Sequence, residues 1–457
     1  MMRVLEFLAA LVIVAVIGVA AAMVMPGSGH VERSLVVGKD LRQVYDVLDN
    51  FRMLPRYSAI GSIDPKAQFT FSGKSYGPGS EVSWTSSNPK LGNGQLTIAS
   101  AAPGFAKIDS NTRDANIVWN LDNKWRGRDK HFTLDLARKG SRGQLTNITW
   151  SYDVTYGWNL VNRFANLYIH GEPDAFIQYS LNNLQNVLAA VPNVDYSQLD
   201  PSIEQTQPTP VLLVSSSIAR KAGLDGLDTA VTMAIGEIQA EAKKLGVNVT
   251  GPRILFTTSY GDQTFKFDVA MPIDASTLTV AGQSEQLTAP VPPSIDASAA
   301  PAEASTAADA ASTPALAPGS RDRYGRLVLD KNVRGALVFG GAALKGVWSG
   351  TFAGVPQIRD MLKAYAQTHG YGFDVVVKPS YDILVQPEVK DASGAITTYA
   401  KYDVYLPLSS APQQTPEQAA GIQPPSMDTG SAPASSSSAP AAAGSAAAPA
   451  SGASVGH

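Results

Sequence analysis

The sequence predicts an α+β protein that begins with an apolar helix, and three observations support this fold class. An apolar run opens the chain, strand-like segments follow one another up to residue 155, and the C-terminal half contains two near copies of one motif, 266–273 (KFDVAMPI) and 401–408 (KYDVYLPL). Each copy follows an amphipathic helical pattern that ends in glycine. The C-terminal half therefore reads as one strand-helix-strand-strand unit used twice.

The composition limits the classes of function that this chain can have. A chain of 457 residues is too long for one compact core, so its length predicts two domains plus unstructured segments. A net charge of -3 gives no electrostatic reason to expect nucleic acid as a partner. Cysteine is absent and the 5 histidines show no ligand spacing, so we predict no metal site, no cofactor and no thiol chemistry.

The apolar run predicts export. Residues 4–25 are apolar apart from Glu6. This run is long enough for a transmembrane helix of roughly 20 residues. The small residues at 20–22 suit a cleavage site, so a signal peptide is the competing prediction. We expect an uncleaved anchor within residues 1–25. The expected location is the bacterial inner membrane, crossed once, with the soluble domains in the periplasm.

Two segments dominated by Ala, Ser, Pro and Thr, 275–320 and 409–457, are predicted to be disordered. They have few of the aromatic and branched side chains whose burial offsets the entropy of chain ordering. The first segment is an insertion between the two copies of the motif, and the second is a tail. A polar joint at 195–210 then divides the folded chain into domains at 31–194 and 209–408.

The first domain shows the pattern of an antiparallel sheet closed by a helix. Residues 31–37 read as a strand, Asp40 suits the N-cap of the next helix, and a helical pattern runs from about 172 to 191. Short segments rich in Thr, Val, Ile and aromatic residues lie between these elements, separated by turn residues. These segments are 68–71, 81–84, 95–98, 117–119, 131–134 and 145–155.

This domain resembles the polyketide cyclase/START-like (SRPBCC) superfamily. The resemblance rests on the strand 31–37 after the apolar run, the Asp40 helix, Asp64-Pro65, and the segment 77–84 followed by 94–98. It implies a helix-grip fold around an apolar cavity that binds lipids, sterols, polyketides or hormones. Trp84, Trp150 and Tyr152 lie in strand-like runs and are predicted to bind the ligand, with core filling as the open alternative.

The second domain resembles a GyrI-like effector-binding domain, of the kind also attached to AraC-type and MerR-type regulators. The segments that carry the resemblance are 333–339, 345–348, 355–365, 378–387 and 403–408. In that family two strand-helix-strand-strand halves form a groove for small, often cationic or amphipathic molecules. DNA-binding helices do not accompany the domain in this sequence, so transcriptional regulation is not implied.

The same resemblance implies residues of the groove. Trp348 falls where the family has an aromatic residue after a glycine, and Asp382 lies near a position usually occupied by Glu. Tyr381, in the same segment, is also predicted to bind the ligand. Aspartate has a shorter reach than glutamate. For Trp348, structural packing is the open alternative.

Alternation of side chains in the two motif copies adds further candidates. Tyr402, Val404 and Leu406 share the face that should meet the helices, so Asp403 and Tyr405 lie on the opposite face, where the groove would be. Asp268 has the same place in the first copy. The alternative for both acids is a surface ion pair with a neighbouring lysine.

These observations predict a protein that binds, senses or transfers a hydrophobic or amphipathic small molecule in the bacterial envelope. The alternatives are a hydrolase or cyclase that uses the same pockets, and a non-enzymatic envelope interaction protein. The sequence contains no nucleophile-elbow or metal motif, and we assign no catalytic residue.

Overall fold

The computed structural model describes residues 2–104, 107–140, 143–199, 201–261, 263–291, 316–338 and 340–409. The α-helices in these ranges are α1 Met2–Val24, α2 Leu41–Leu48, α3 Leu54–Tyr57, α4 Ala59–Ile63, α5 Leu160–Arg163, α6 Glu172–Ala189, α7 Gly223–Leu245 and α8 Val355–Thr368. The strands are β1 Ser28–Val37, β2 Gln68–Gly73, β3 Ser80–Thr85, β4 Gly94–Ala102, β5 Asp114–Asn123, β6 Arg128–Lys139, β7 Leu145–Thr155, β8 Ser202–Thr206, β9 Pro210–Ala219, β10 Ile254–Tyr260, β11 Thr264–Pro272, β12 Thr277–Val280, β13 Gln283–Gln286, β14 Leu327–Val328, β15 Val333–Leu337, β16 Gly341–Ser349, β17 Tyr381–Gln386, β18 Val389–Lys390, β19 Ile396–Thr398 and β20 Lys401–Pro407.

The first unit, β1 to α6, is an antiparallel sheet that holds a long helix. Its strands lie in the order β1-β7-β6-β5-β4-β3-β2. One side of α6 is buried against the sheet, including Ile177, Leu184 and Leu188. The predicted strand segments lie within β1–β7, and the Asp40 carboxylate accepts a hydrogen bond from the Arg42 amide at 2.8 Å, which confirms the predicted N-cap. The arrangement is a helix grip.

The second unit, β8 to β20, contains one large sheet in the order β14-β15-β9-β11-β10-β17-β20-β16-β8. On either side of the β10–β17 pair the strands follow in mirror order, with β9, α7, β10 and β11 in one half and β16, α8, β17 and β20 in the other. The two motif copies are strands β11 and β20. Both helices pack on the same face of this sheet, and we call the opposite face the groove face.

Part of the segment predicted to be disordered forms a hairpin. Strands β12 and β13 pair within 277–286, and Leu278, Val280 and Leu287 are buried in the core beneath α7. These three side chains give a Ser/Thr-rich segment enough apolar surface to pack. The predicted disorder therefore does not extend to this hairpin. Residues 292–315 of the insertion and 410–457 of the tail lie outside the described residues.

The two units contact each other through α2 and α8. Every residue of α2 is buried, although its pattern predicts a single apolar face, because the first sheet covers one side and the second unit the other. The Tyr196 hydroxyl lies in this contact, 2.7 Å from Asp46 Oδ2 and 3.0 Å from Thr368 Oγ1. Asp46 also forms a buried ion pair with Arg42.

Helix α1 meets the first unit at α5. Residues Glu6–Val24 are long and apolar enough to cross a membrane, a property that a signal sequence shares. Most of its apolar side chains are exposed. Its C-terminal end is held by Arg163, whose Nη1 donates to the backbone oxygens of Met23 and Met25 at 3.0 and 3.3 Å.

Candidate functional site

Aromatic side chains pack together in the interior between the first sheet and α6. Trp119 and Trp150 meet edge to face with ring centroids 5.3 Å apart, and Phe132 stacks on Phe176 of α6 at 5.5 Å. The predicted ligand residue Tyr152 belongs to the same cluster. These side chains come together because alternate residues of β5, β6 and β7 face the helix.

Several polar atoms in this interior have no hydrogen-bond partner among the described residues. They are the indole nitrogens of Trp84, Trp119 and Trp150, the hydroxyl of Tyr57 and both carboxyl oxygens of Asp49, which we call the interior polar set. Each unsatisfied buried group costs about 1–3 kcal/mol. Since buried polar groups are nearly always hydrogen-bonded, these atoms are available to bind water or the polar groups of a guest.

Asp49 lies at the end of α2 beneath the turn that begins at Tyr76. Its backbone oxygen accepts a hydrogen bond from the Gly77 amide at 2.8 Å. Burial raises the pKa values of Tyr45 and Tyr76, and the nearby Asp49 carboxylate adds a smaller contribution. Burial, with a smaller contribution from Asp46, raises the pKa of Asp49 well above its usual range. A neutral carboxyl group both donates and accepts hydrogen bonds, so Asp49 suits a neutral polar group of a guest.

Asp49→Asn will change the pH dependence of stability. Because the folded pKa of Asp49 is raised, the native chain binds a proton more tightly than the unfolded chain, and stability from this group grows as pH falls from the folded pKa towards the unfolded value. The amide cannot ionise. We therefore expect the variant to gain stability over the wild type at pH 8, with the difference shrinking towards pH 5, in denaturant unfolding. Parallel pH profiles would contradict this.

A surface cleft lies next to Tyr57. It has a volume of about 460 Å³ and is formed by the α3–α4 turn, the start of β2 and α6. Ser58, Phe69 and Asn183 contribute to its walls, and the Ser58 hydroxyl is itself buried without a partner in the described chain. The lining of the cleft thus includes Arg56 and Ser58, the two sequence neighbours of Tyr57.

The groove face of the second sheet carries an aromatic stack. Tyr381 of β17 and Tyr405 of β20 are stacked with centroids 4.9 Å apart, and Phe256 of β10 lies 5.3 Å from Tyr381. All three are at least nine-tenths buried and belong to one apolar cluster on this face. The structure therefore brings together Tyr381 and Tyr405, as the alternation of β20 predicts for Tyr405.

Charged groups border this stack. Lys345 Nζ lies 2.8 Å from Asp403 and 3.1 Å from Glu204, and the Tyr405 hydroxyl donates to Glu204 at 3.2 Å. Burial alone would lower the pKa of Lys345, but its hydrogen bonds with Asp403 and Glu204 outweigh burial and raise the pKa. The lysine is therefore charged and bridges the two acids.

Asp268 occupies the equivalent place in the other half. It lies 3.3 Å from Arg326, which in turn forms a buried ion pair with Asp322 at 2.6 Å. Both motif acids thus pair with a base that is distant in the chain, whereas the sequence alternative was a neighbouring lysine. The role of Asp268 and Asp403 in binding stays a prediction.

Trp348 and Asp382 lie on the helix-bearing side of the second sheet. The Trp348 indole nitrogen donates to the Thr351 backbone oxygen at 2.7 Å. Asp382 is fully buried and accepts hydrogen bonds from Arg359 at 2.5 Å and Arg253 at 3.4 Å. That these two residues bind a ligand also stays a prediction.

Sequence reasoning missed Asp49, Tyr57, Glu204 and Lys345 as site candidates. Asp49 and Tyr57 belong to short helical segments whose surroundings are set by distant strands, so no local pattern marks them. Glu204 is brought to Lys345 by the pairing of β8 with β16. The one available signal was alternation: Leu344 packs in the core beneath α8, so Lys345, the next residue of β16, faces the opposite side of the sheet.

Known proteins show limited similarity to this chain. No family model and no curated protein sequence matches it. Among solved structures, protein XoxI from Bacillus cereus is similar at 14% identity with a TM-score of 0.25, over 35% of this chain and 96% of that chain. Norcoclaurine synthase from Thalictrum flavum is similar at 10% identity with a TM-score of 0.27, over 37% of this chain and 90% of that chain.

Proposed function

We propose that this protein is an exported, membrane-anchored binder of a hydrophobic or amphipathic small molecule. The observation that carries the proposal is the interior polar set within an apolar, aromatic-lined interior. Small-molecule sites combine mostly apolar walls with a few polar groups that fix orientation. A guest with an apolar body and one or two polar groups would cover the rings of Trp119 and Trp150 and supply partners for Asp49 and the indoles.

We further propose that the second unit is a GyrI-like effector-binding domain with its site on the groove face. The mirrored strand order and the stack of Tyr381 and Tyr405 support this assignment. Flat aromatic surfaces and nearby acids suit a planar or cationic guest. Such a guest would compete with Lys345 for Asp403 and with Arg326 for Asp268.

The proposed location is the bacterial inner membrane, with both units in the periplasm and α1 as the anchor. The length and apolar composition of Glu6–Val24 support a span, and the exposure of its side chains leaves them free to contact lipid. The guest would then be sequestered, sensed or passed on at the membrane.

Mass spectrometry of the full chain, purified from its host in mild detergent, tests the binding function. We expect a small molecule that is retained under native conditions and released on denaturation. Tyr57→Phe removes one hydroxyl of the interior polar set and should weaken guest binding about fivefold, as expected for a hydrogen bond of about 1 kcal/mol, so that less guest is retained.

Tyr179→Phe is the matched control, because Tyr179 is exposed on α6 and the same hydroxyl is removed. It should retain the guest as the wild type does. If Tyr57→Phe retains the guest fully and only gains stability, its hydroxyl has no guest partner and the site lies elsewhere. A co-purifying protein with no small molecule would favour the interaction-protein alternative.

A further inference from the structure

The segment 158–168, between β7 and α6, exposes large apolar side chains. Trp158 is 87% exposed, Val161 and Leu167 are each 64% exposed, and Tyr168 is 73% exposed. Arg163 is the one charged residue of the segment in the sequence. Single exposed apolar residues are ordinary on protein surfaces, whereas several within eleven residues indicate a contact surface.

This segment is fixed to the end of α1. Arg163 donates to the backbone oxygens of Met23 and Met25 at the C-terminal end of that helix, and to Gly157 at 2.8 Å. Its guanidinium group also lies 4.9 Å from the centre of the Trp158 ring. Ile169, which follows the segment, is buried. The exposed apolar residues are therefore held beside the end of the apolar helix.

The position of the segment identifies its partner. If α1 spans a bilayer, its end lies at the boundary between hydrocarbon and headgroups, and so do residues attached to that end. Trp and Tyr are enriched at this depth, because their rings are apolar and their N–H or O–H groups reach water. Two exposed aromatics with Val161 and Leu167 match this environment.

We propose that residues 158–168 form a membrane-docking surface that lies in the bilayer interface next to α1. The inference rests on the proposed anchor and goes beyond it, since it fixes which side of the first unit faces the lipid. That side is adjacent to the N-terminus of α6, one of the walls of the proposed interior site. A hydrophobic guest would then exchange between bilayer and protein without crossing bulk water.

Site-directed spin labelling tests this surface. The chain has no cysteine, so no native cysteine has to be replaced before a single labelling site is introduced. Leu167→Cys and Val161→Cys are each labelled with a nitroxide in the full chain, reconstituted into phosphatidylethanolamine/phosphatidylglycerol vesicles. Met233→Cys on α7 is the matched control, since Met233 is 63% exposed and Leu167 64%. We expect the ratio of oxygen to nickel-complex accessibility to be several-fold higher at 161 and 167 than at 233.

The outcomes separate the alternatives. Equal, water-like accessibility at 167 and 233 in protein that floats with the vesicles overturns the docking surface and leaves the anchor intact. Shielding of 167 from both oxygen and nickel means that a second copy or another protein covers the segment, which also overturns it. Failure of the full chain to float with vesicles removes the anchor, and the docking surface with it, while the guest-binding test is unaffected.

Discussion

Replacing Asp382 with alanine will lower the free energy of unfolding by about 3–5 kcal/mol, the usual result of removing one partner from a buried ion pair. Asp382 is fully buried, and each of its oxygens faces an arginine, Arg359 of α8 and Arg253 before β10. Without the carboxylate, Arg359 remains charged in the core at 4% exposure. Denaturant unfolding of the full chain measures the loss.

Asp360→Ala is the matched control for this prediction. Asp360 lies on the same helix as Arg359 and pairs with Lys363 at 3.2 Å, but both side chains are substantially exposed. Exposed ion pairs contribute little to stability, so the free energy of unfolding of this variant should be close to that of the wild type. Equal stability of the two variants would show that the buried pair contributes nothing. Asp382 supports the fold, so a variant at this position can lose guest binding simply because it unfolds. Such a loss is evidence for a binding role only where the fold of the variant is shown to be intact.

Local sequence patterns determined the elements and the faces of single strands. The alternation in β20 placed Tyr402, Val404 and Leu406 toward the helices, and all three belong to the core beneath α8. The same rule placed Asp403 and Tyr405 on the groove face. These predictions succeed because the period of two in a strand is a property of neighbouring residues alone.

Features that depend on pairing between distant strands could not be read in this way. Trp348 lies on the helix-bearing side of β16, because its register pairs it with Tyr402 of β20. Asp382 is opposite Val404 and shares that side. A resemblance in motif order gives the position of a residue along its strand. The face of the sheet on which its side chain lies follows from how that strand pairs with its neighbours. The burial of Asp49 was missed for a similar reason, since the turn at Gly77 that covers it is distant in the sequence.

Tyr196→Ala will uncouple the two units. The sequence predicts a polar joint at 195–210, yet the Tyr196 ring is fully buried between α2 and α8 and meets Tyr365 edge to face at 6.1 Å. Its hydroxyl lies within hydrogen-bond distance of Asp46 of the first unit and Thr368 of the second. Truncating a buried aromatic residue costs about 3–5 kcal/mol, and here the cost falls on the contact between the units.

Calorimetry of the full chain should therefore show the transitions of the two units closer together in the wild type than in Tyr196→Ala. Limited proteolysis should cut the variant within 195–210, because the joint is no longer held by its buried ring. Tyr196→Phe keeps the ring and removes only the hydroxyl, so it should cost about 1–3 kcal/mol and leave the joint protected. An unchanged thermogram and unchanged proteolysis of Tyr196→Ala would mean that the units are held together by other contacts.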